Sequence, residues 1–292
     1  MRNLDLDSLN IFASVAREGG VVRAAARLHR VPSNVTTRVK QLEERLGLAL
    51  FRRQGRRIVL TNEGQMLLAH AERLLRMADD AEHALRSGGV QGPLRLGSLE
   101  SAACARLPRV LADFHARHPD VQLELRTGTS AALVRQVERY EIEAALVSEP
   151  FSAPGLASRP VFAETLLLIT AADAAPVRRA ADLGGRSLVA FAQGCSYRRL
   201  LEDWLAADGL RPARVLELAS YHAIVACVAA GAGCAVVPAS VLDLGGAGDS
   251  VRRHALPARW RRSRTHLLWQ GEASPALAAL MQLLPADRGL RQ

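Results

Sequence analysis

The sequence predicts a mixed α/β chain in three parts: an N-terminal winged helix-turn-helix (residues 1–62), a long linker helix and hinge (63–90), and a two-lobed α/β domain (91–292). Three observations predict it. Val22 to Thr61 reads as two short helices joined by a turn and followed by a basic hairpin. Leu67 to Leu85 keeps an apolar seam at heptad spacing, and from Leu94 strand-like and helix-like segments alternate. With 292 residues, 49% of them hydrophobic, the chain exceeds one typical domain and has ample apolar content for its cores.

In chain order, Leu6, Leu9, Phe12, Ala13 and Ala16 recur at helical spacing, giving a first, scaffolding helix. Ala24, Ala25 and Ala26 permit a close helix crossing. The His29 to Pro32 segment then breaks the pattern, because Pro disfavours α geometry at the residue before it. Ser33 is placed to cap a new helix whose Val35, Val39, Leu42 and Leu46 form one apolar stripe. Its other face carries Asn34, Thr36, Thr37, Arg38, Lys40 and Gln41, all hydrogen-bonding and none acidic, a face suited to base edges and phosphates. In FRRQGRRIVL, Gly55 makes a turn between Arg52, Arg53 and Arg56, Arg57, four arginines at a hairpin tip that suit phosphates. Together with Arg23, Ser33, Asn34, Thr36, Thr37, Arg38 and Lys40 they form the expected DNA-contact set. Charge agrees: residues 1–62 hold 12 Arg and Lys against 5 Asp and Glu, net +7, while the other 230 hold 26 against 24, net +2.

Thr61 or Asn62 is placed to cap a helix beginning near Glu63 and ended by Gly88 and Gly89. Within it Leu67, Ala71, Leu74, Ala78, Ala81 and Leu85 are spaced four and three apart, a heptad seam. Some 24 residues of helix reach about 36 Å, longer than a simple connector needs. The seam is therefore expected to pair two copies, because a reader of a two-fold DNA site needs two recognition helices at fixed separation. SGGVQGP (87–93) is the linker signal after it.

Beyond the linker, LRLGS, LPRVLADFHARHP, VQLELRT, AALVRQVERY and AALVS give a βαβαβ rhythm and so a parallel sheet flanked by helices. TLLLIT, SLVAF, a helix around RRLLEDWLAAD, RVLELA, a helix from Tyr221 to Ala230 and CAVVP give a second. RTHLLWQ and PALAALMQLL add a strand and a helix. The expected lobes are about 91–161 with 266–292, and about 162–265, enclosing a ligand cleft at the strand ends. Ser98, Glu100, Ser101, Thr127, Thr129, Ser196, Tyr197, Tyr221 and His222 lie in or beside the loops that would line it. Hydroxyls there either cap helices or bind a small polar ligand, and their convergence favours a ligand. Glu100 and Glu149 would repel an anion and receive an amine.

The N-terminus has no uninterrupted apolar leader core, and no run reaches the roughly 18 apolar residues of a membrane span, so a cytoplasmic protein without membrane partners is expected. Cys104, Cys195, Cys227 and Cys234 lack a CxxC or Cys/His metal spacing, which points to buried reduced thiols and no bound metal. A thiol sensor using Cys227 and Cys234 stays open. An enzyme or solute-binding protein built on the two lobes is the remaining rival. It would need a nucleophile with a base, or a metal cluster, and the eight scattered histidines supply neither, so no catalytic residue and no cofactor are expected.

AAARLHRVPSNVTTRVKQLEERLGLALFRRQGRRIVLTNEG resembles the helix-turn-helix signature of LysR-type transcriptional regulators. The pattern A-A-x-x-L-H, a turn, then V-x-x-x-V/I-x-x-L-E-x-x-L-G-x-x-L-F carries the likeness, which extends through the two-lobed domain to about residue 285. GSLESAA, GCSYRRLLEDWLAADG, SYHAIVACVAAGAGCAVVP and the final W-x-x-x-x-T-x-L-x-W segment look similar to the subgroup of putrescine-utilisation regulators. The resemblance implies an effector-binding domain of periplasmic-binding-protein type, a homodimer or homotetramer (a dimer of dimers), promoter DNA bent near a T-N11-A motif, and a small co-inducer between the lobes, an amine or its metabolite if the subgroup holds. Base-reading positions then fall on Pro32, Ser33, Thr36, Thr37 and Arg38, and effector contacts on Ser98, Ser101, Thr129, Ser196 and Tyr221, with Tyr197 and His222 as subgroup additions. Pro32 and Thr37 stand where the family more often has longer donors, which leaves Ser33, Thr36 and Arg38 to carry more of the sequence preference. The expected activity is sequence-specific regulation of transcription under effector control.

Overall fold

Asp5 starts the first helix, α1 (Leu6–Glu18), by accepting the backbone N–H of Ser8 at 2.8 Å. That bond, the Ser8 hydroxyl and Arg45 hold its carboxyl down to about 2. Gly19, left-handed at φ 63°, ends the helix. The computed structural model describes residues 4–55, 57–86, 90–244 and 247–285, in two units, residues 1–88 and 89–292.

In the first unit α2 (Val21–Arg27) is followed by His29 at φ 53°, and α3 (Pro32–Leu46) begins on Val31 as N-cap. Pro32 is thus the first helical residue, not the breaker before the helix, and Ser33 sits inside the first turn without capping it. Proline's fixed φ suits that position, and the N–H it lacks would have no helical partner there. Ile11, Val15, Ala24, Ala25, Val35 and Val39 bury the three-helix contact. A hairpin follows, β1 (Phe51–Gln54) antiparallel to β2 (Arg57–Leu60), turned at Gly55. Then comes α4 (Asn62–Arg86), whose Gly64 N–H is capped by the Thr61 hydroxyl at 2.9 Å. Glu43 of α3 fastens the hairpin: its Oε1 accepts the N–H groups of Leu50 and Phe51 at 2.8 and 3.1 Å.

The seam expected along α4 is divided. Leu67 and Ala71, with Leu68 and Leu75, pack on Leu9, Phe12, Leu42 and Leu50 of the same unit, so the inward face follows the 3.6 period of a helix lying on its own domain. Met66, Leu74 and Met77 stay exposed at 66%, 41% and 48%. The side chain of Leu85 lies outside the described residues.

The second unit opens with β3 (Gly92–Ser98), α5 (Glu100–Ala105), α6 (Leu107–Arg117), β4 (Val121–Thr127), α7 (Ser130–Glu138) and β5 (Ala144–Ser148); β3 pairs parallel with both β4 and β5. The expected parallel rhythm then gives way to β6 (Ala157–Ala171), a 15-residue strand that pairs antiparallel with three others. The chain continues through β7 (Leu188–Ala190), α8 (Ser196–Ala207), β8 (Val215–Glu217), α9 (Tyr221–Ala229), β9 (Ala235–Pro238), α10 (Ala239–Leu242), β10 (Val251–Ala255), α11 (Ala258–Arg261), β11 (Arg262–Trp269) and α12 (Pro275–Leu283). The main sheet runs β10-β6-β11-β5-β3-β4, with β9 also on β6. Val161 and Phe162 of β6 enter the core of lobe I, around Leu94, Leu96, Phe114 and Leu277. Leu166, Leu168 and Ile169 enter that of lobe II, around Trp204, Ile224 and Val237. Among the described residues no helix is long and apolar enough to cross a membrane.

Two packing details make predictions. A Cβ on Gly64 would run into the Leu50 carbonyl oxygen where α4 crosses the start of the hairpin. Gly64→Ala is therefore expected to lower stability by about 1–3 kcal/mol despite alanine's better helix propensity, read by denaturant unfolding; an unchanged or higher midpoint contradicts the packing. His254 is buried, accepting the Val177 N–H on Nδ1 at 3.1 Å and facing the Thr170 hydroxyl through Nε2 at 2.8 Å. Burial, with Arg252 and Arg186, pushes its pKa below the ordinary 6.5. The unfolded chain thus binds the proton more readily, and the stability gained from neutral His254 is full above 6.5 and lost as pH falls through the lower folded value. Thermal scans should show that slope in the wild type and a shallower one in His254→Gln.

Candidate nucleic-acid interface and inter-lobe cleft

The expected DNA-contact residues form an exposed face of the first unit. Ser33, Asn34, Thr36, Thr37, Arg38 and Lys40 are all exposed along α3, while Val35, Val39 and Leu42 turn inward. Some carry internal contacts. The Thr36 hydroxyl donates to the Pro32 carbonyl at 2.9 Å, and Arg38 lies 3.5 Å from Asp7, which also pairs with Arg30. Arg23 is exposed, but its Nε donates to the Glu18 carbonyl at 2.6 Å, tying it to the end of α1. Arg52 and Arg53 are exposed on β1. Arg56 lies outside the described residues, as does the side chain of Arg57. What sequence reasoning missed is Glu43, which fixes the hairpin to α3 and so sets where Arg52 and Arg53 stand relative to the reading face. Its reach to two N–H groups seven and eight residues on becomes visible only in the fold.

The ends of β3 and β4 meet the entrances of α8 and α9 in the second unit. Glu100, Thr129, Ser196, Tyr197 and Tyr221 line a closed space there, with Ser148 and Phe191. Its free volume is about 10 Å³, room for one water. A mouth of about 310 Å³ opens beside it, lined by Glu100, Thr127, Thr129, Phe191 and Glu217. A second mouth, about 490 Å³, lies on the α7 side, lined among others by Ser130, Arg135, Phe151, Ser196 and Arg199. Thr129 also caps α7 through the Ala132 N–H at 3.4 Å, so it performs both roles open to such a hydroxyl.

Three residues expected in the cleft are placed elsewhere. Ser98 is fully buried and its hydroxyl donates to the Leu99 carbonyl at 2.9 Å. Glu149 is taken up by His266 at 2.7 Å, because β11 runs beside β5 and brings that ring to the strand end. His222 is exposed and lines neither the closed space nor its mouths. Ser101 is buried beside the Tyr197 and Tyr221 hydroxyls.

Direct bonds hold the lobes together. Ser196 of α8 donates to the Ser148 carbonyl at 2.6 Å and lies 2.8 Å from the Ser130 hydroxyl, and the Ala131 N–H donates to the Gly194 carbonyl at 3.2 Å. Gly194, at φ 92°, approaches so closely that a Cβ would stand 3.0 Å from Ala131 Cβ and 3.1 Å from Thr129 Oγ1. A second link crosses at β6: Glu164, 5% exposed, binds Arg106 at 2.7 and 3.1 Å and accepts the Ser240 hydroxyl at 2.8 Å.

Charge is mixed around the cleft: Arg135, Arg198 and Arg199 stand on the α7-side mouth, and Arg198 also binds Glu217 at 2.6 Å. Glu100 and Glu217 face the closed space and its adjoining mouth, which no Arg, Lys or His lines. Burial raises the pKa of Glu100, partly offset by the nearby Tyr221 N–H and by His222. Burial pushes Tyr197 up to about 12 and Tyr221 well above the usual phenol value, so both stay protonated. Burial likewise holds two thiols protonated, Cys104 at about 11 and Cys234 at about 12. Among the described residues no group of three or more His, Cys, Asp or Glu is placed to hold a metal ion.

Comparison with known proteins agrees with this geometry. A family model described as bacterial regulatory helix-turn-helix protein, lysR family, matches residues 6–65, and one described as LysR substrate binding domain matches 87–288. The chain is 35% identical over 281 residues to the uncharacterized HTH-type transcriptional regulator YusT of Bacillus subtilis, covering 95% of this chain and 94% of that one. It is 33% identical over 281 residues to the HTH-type transcriptional regulator GltR of the same organism, covering 95% of each. Among solved structures it superposes on full-length CbnR complexed with its target DNA with a TM-score of 0.70 at 25% identity, covering 96% of this chain and 99% of that one. Removing the Ser196 hydroxyl should cost about 1–2 kcal/mol, since it donates to the Ser148 carbonyl and meets the Ser130 hydroxyl across the lobes, both buried; Ser196→Ala unfolding at the wild-type midpoint would show that the lobes do not rest on these contacts.

Proposed function

We propose that this chain, which belongs to the LysR family of bacterial helix-turn-helix regulators, reads a promoter as a homodimer or homotetramer and is controlled by a small cationic effector between its lobes. Its relatives are transcriptional regulators, not enzymes. The observation that carries the DNA reading is the α3 face: every hydrogen-bonding side chain from Ser33 to Lys40 is exposed, none is acidic, and Arg52 and Arg53 are exposed on the hairpin that Glu43 fastens to α3. Its place of action is the cytoplasm, where promoter DNA is.

The exposed Met66, Leu74 and Met77 support pairing of two copies through α4, since apolar side chains on the outer face of a long helix gain by burial in a partner. The effector reading rests on the lining of the cleft. Glu100 faces the closed space and its adjoining mouth, Glu217 lines the mouth while paired with Arg198 at 2.6 Å, and the edge-on Phe191 and Tyr221 rings, 4.8 Å apart, offer aromatic surface. A compact amine suits the Glu100 side of this lining. The narrower likeness to putrescine-utilisation regulators rests on sequence segments alone, and the relatives named above give it no support. A thiol-sensing reading has less behind it. Cys234 is buried and protonated, and its sulfur donates to the Ser187 carbonyl, leaving little thiolate for oxidation. Unchanged DNA binding after peroxide treatment would dispose of it.

Occupancy acts by population shift: a ligand that binds open and closed lobes unequally changes their ratio, and no chemical step is needed. Two substitutions separate base reading from phosphate contact. Arg38→Ala is expected to reduce the preference for promoter over random DNA by about 1–3 kcal/mol, measured as the ratio of the two dissociation constants; an equal loss on both DNAs makes Arg38 a phosphate contact only. Arg53→Ala should weaken binding to every sequence alike and reduce the slope of log affinity against log salt by about one; an unchanged slope removes the hairpin from the interface.

A further inference from the structure

One face of β6 is apolar on both sides of a single charged residue. Buried and exposed positions alternate along this part of the strand, which puts Phe162, Glu164 and Leu166 on one face. Phe162 belongs to the core of lobe I and Leu166 to that of lobe II, and the buried Glu164 stands between them. The neighbouring strands are polar at the same level. Ser263 of β11 is the register partner of Glu164, and its hydroxyl lies 2.6 Å from that of Ser148 on β5; both serines are buried. Directly opposed residues of paired strands share a face. A buried polar layer therefore runs over β6, β11 and β5 at the level where β6 passes from one lobe to the other.

We propose that this layer is the hinge of the two lobes: Glu164 keeps their apolar cores from merging and ties both lobes to the crossing through bonds that can yield as the lobes turn. On the lobe I side Arg106, between α5 and α6, donates from Nε and Nη2 to the two carboxylate oxygens at 2.7 and 3.1 Å, and from Nη2 to the Ala163 carbonyl at 3.3 Å. On the lobe II side the Ser240 hydroxyl of α10 donates to Oε2 at 2.8 Å. An apolar side chain in place of Glu164 would carry close packing across the lobe boundary, and packed interiors resist deformation. A buried carboxylate prevents this at a desolvation cost that Arg106 offsets. The two arms are unequal. Arg106 grips β6 with a fork of two bonds and Ser240 with one, so the bond to Ser240 is the one that gives way when lobe II turns. This assignment concerns the mechanics of the lobes and holds whatever the charge of the effector.

One amide reports the lobe contact directly. The Ala131 N–H, in the first turn of α7, bonds to the Gly194 carbonyl in the other lobe, whereas the Leu133 N–H two residues on bonds to Thr129 within lobe I. Hydrogen exchange of the full-length protein, resolved to single amides, compares the two, since exchange follows the free energy of local opening. In Ser240→Ala, Ala131 should exchange several-fold faster than in the wild type while Leu133 keeps its rate. In the double variant Arg106→Met, Glu164→Leu, which replaces the ion pair by apolar side chains, Ala131 should exchange several-fold more slowly, with a thermal midpoint at or above that of the wild type. Three results overturn the proposal: an unchanged Ala131 rate in Ser240→Ala, equal acceleration of Ala131 and Leu133 there, or a stably folded double variant whose Ala131 exchanges as fast as in the wild type. Should the double variant fold poorly, Ser240→Ala decides alone.

Discussion

The effector-binding half depends on one strand that belongs to two cores. β6 gives Val161 and Phe162 to one lobe and Leu166, Leu168 and Ile169 to the other, with Glu164 buried between them in its pair with Arg106. The lobes are thus joined through the middle of a continuous hydrogen-bonded strand, and the soft coordinate left to them is rotation about that crossing. What faces the crossing decides when they open: the contacts of Ser196 with Ser130 and Ser148, and the close backbone approach at Gly194. These contacts are short and polar, as a cleft that opens and closes requires.

The DNA-reading unit rests on a different economy. Its cores are small, so side-chain to backbone bonds set positions that a larger core would set by packing. Asp5 caps α1 and reaches Arg45 of α3 at 2.9 Å, Glu43 holds the hairpin, and Thr61 caps α4 while binding the Ala49 carbonyl at 2.8 Å. The polar groups near the reading face therefore divide into those that aim α3 and those left exposed on it. Arg38 and Thr36 stand between the two sets, each with an internal partner that DNA would compete for.

The elements of the first unit were legible because their signals are local: helical spacing of apolar residues, Pro32 and His29 as punctuation, Gly55 in the hairpin turn. The polar stripe of α3 was legible for the same reason. Less so was the seam of α4, where a heptad and a 3.6-residue stripe overlap for two turns, and only the neighbouring Leu9 and Phe12 show that Leu67 and Ala71 turn inward. In the second unit the βαβαβ half was readable. The antiparallel path of β6 was not, since strand direction depends on partners that arrive nearly a hundred residues later. That crossing brings Ser130, Ser148, Phe191 and Glu217 to the cleft and leaves Glu149 with His266 outside it.

Footprinting on the DNA immediately upstream of the chain's own gene, with and without a panel of small amines, tests the central claim most directly. The account predicts a protected region of two half-sites at low protein concentration, resistant to competitor DNA, whose extent or cleavage pattern changes when an amine binds. Protection that spreads evenly over any DNA, or a specific footprint that no amine alters while a carboxylate does, would contradict it.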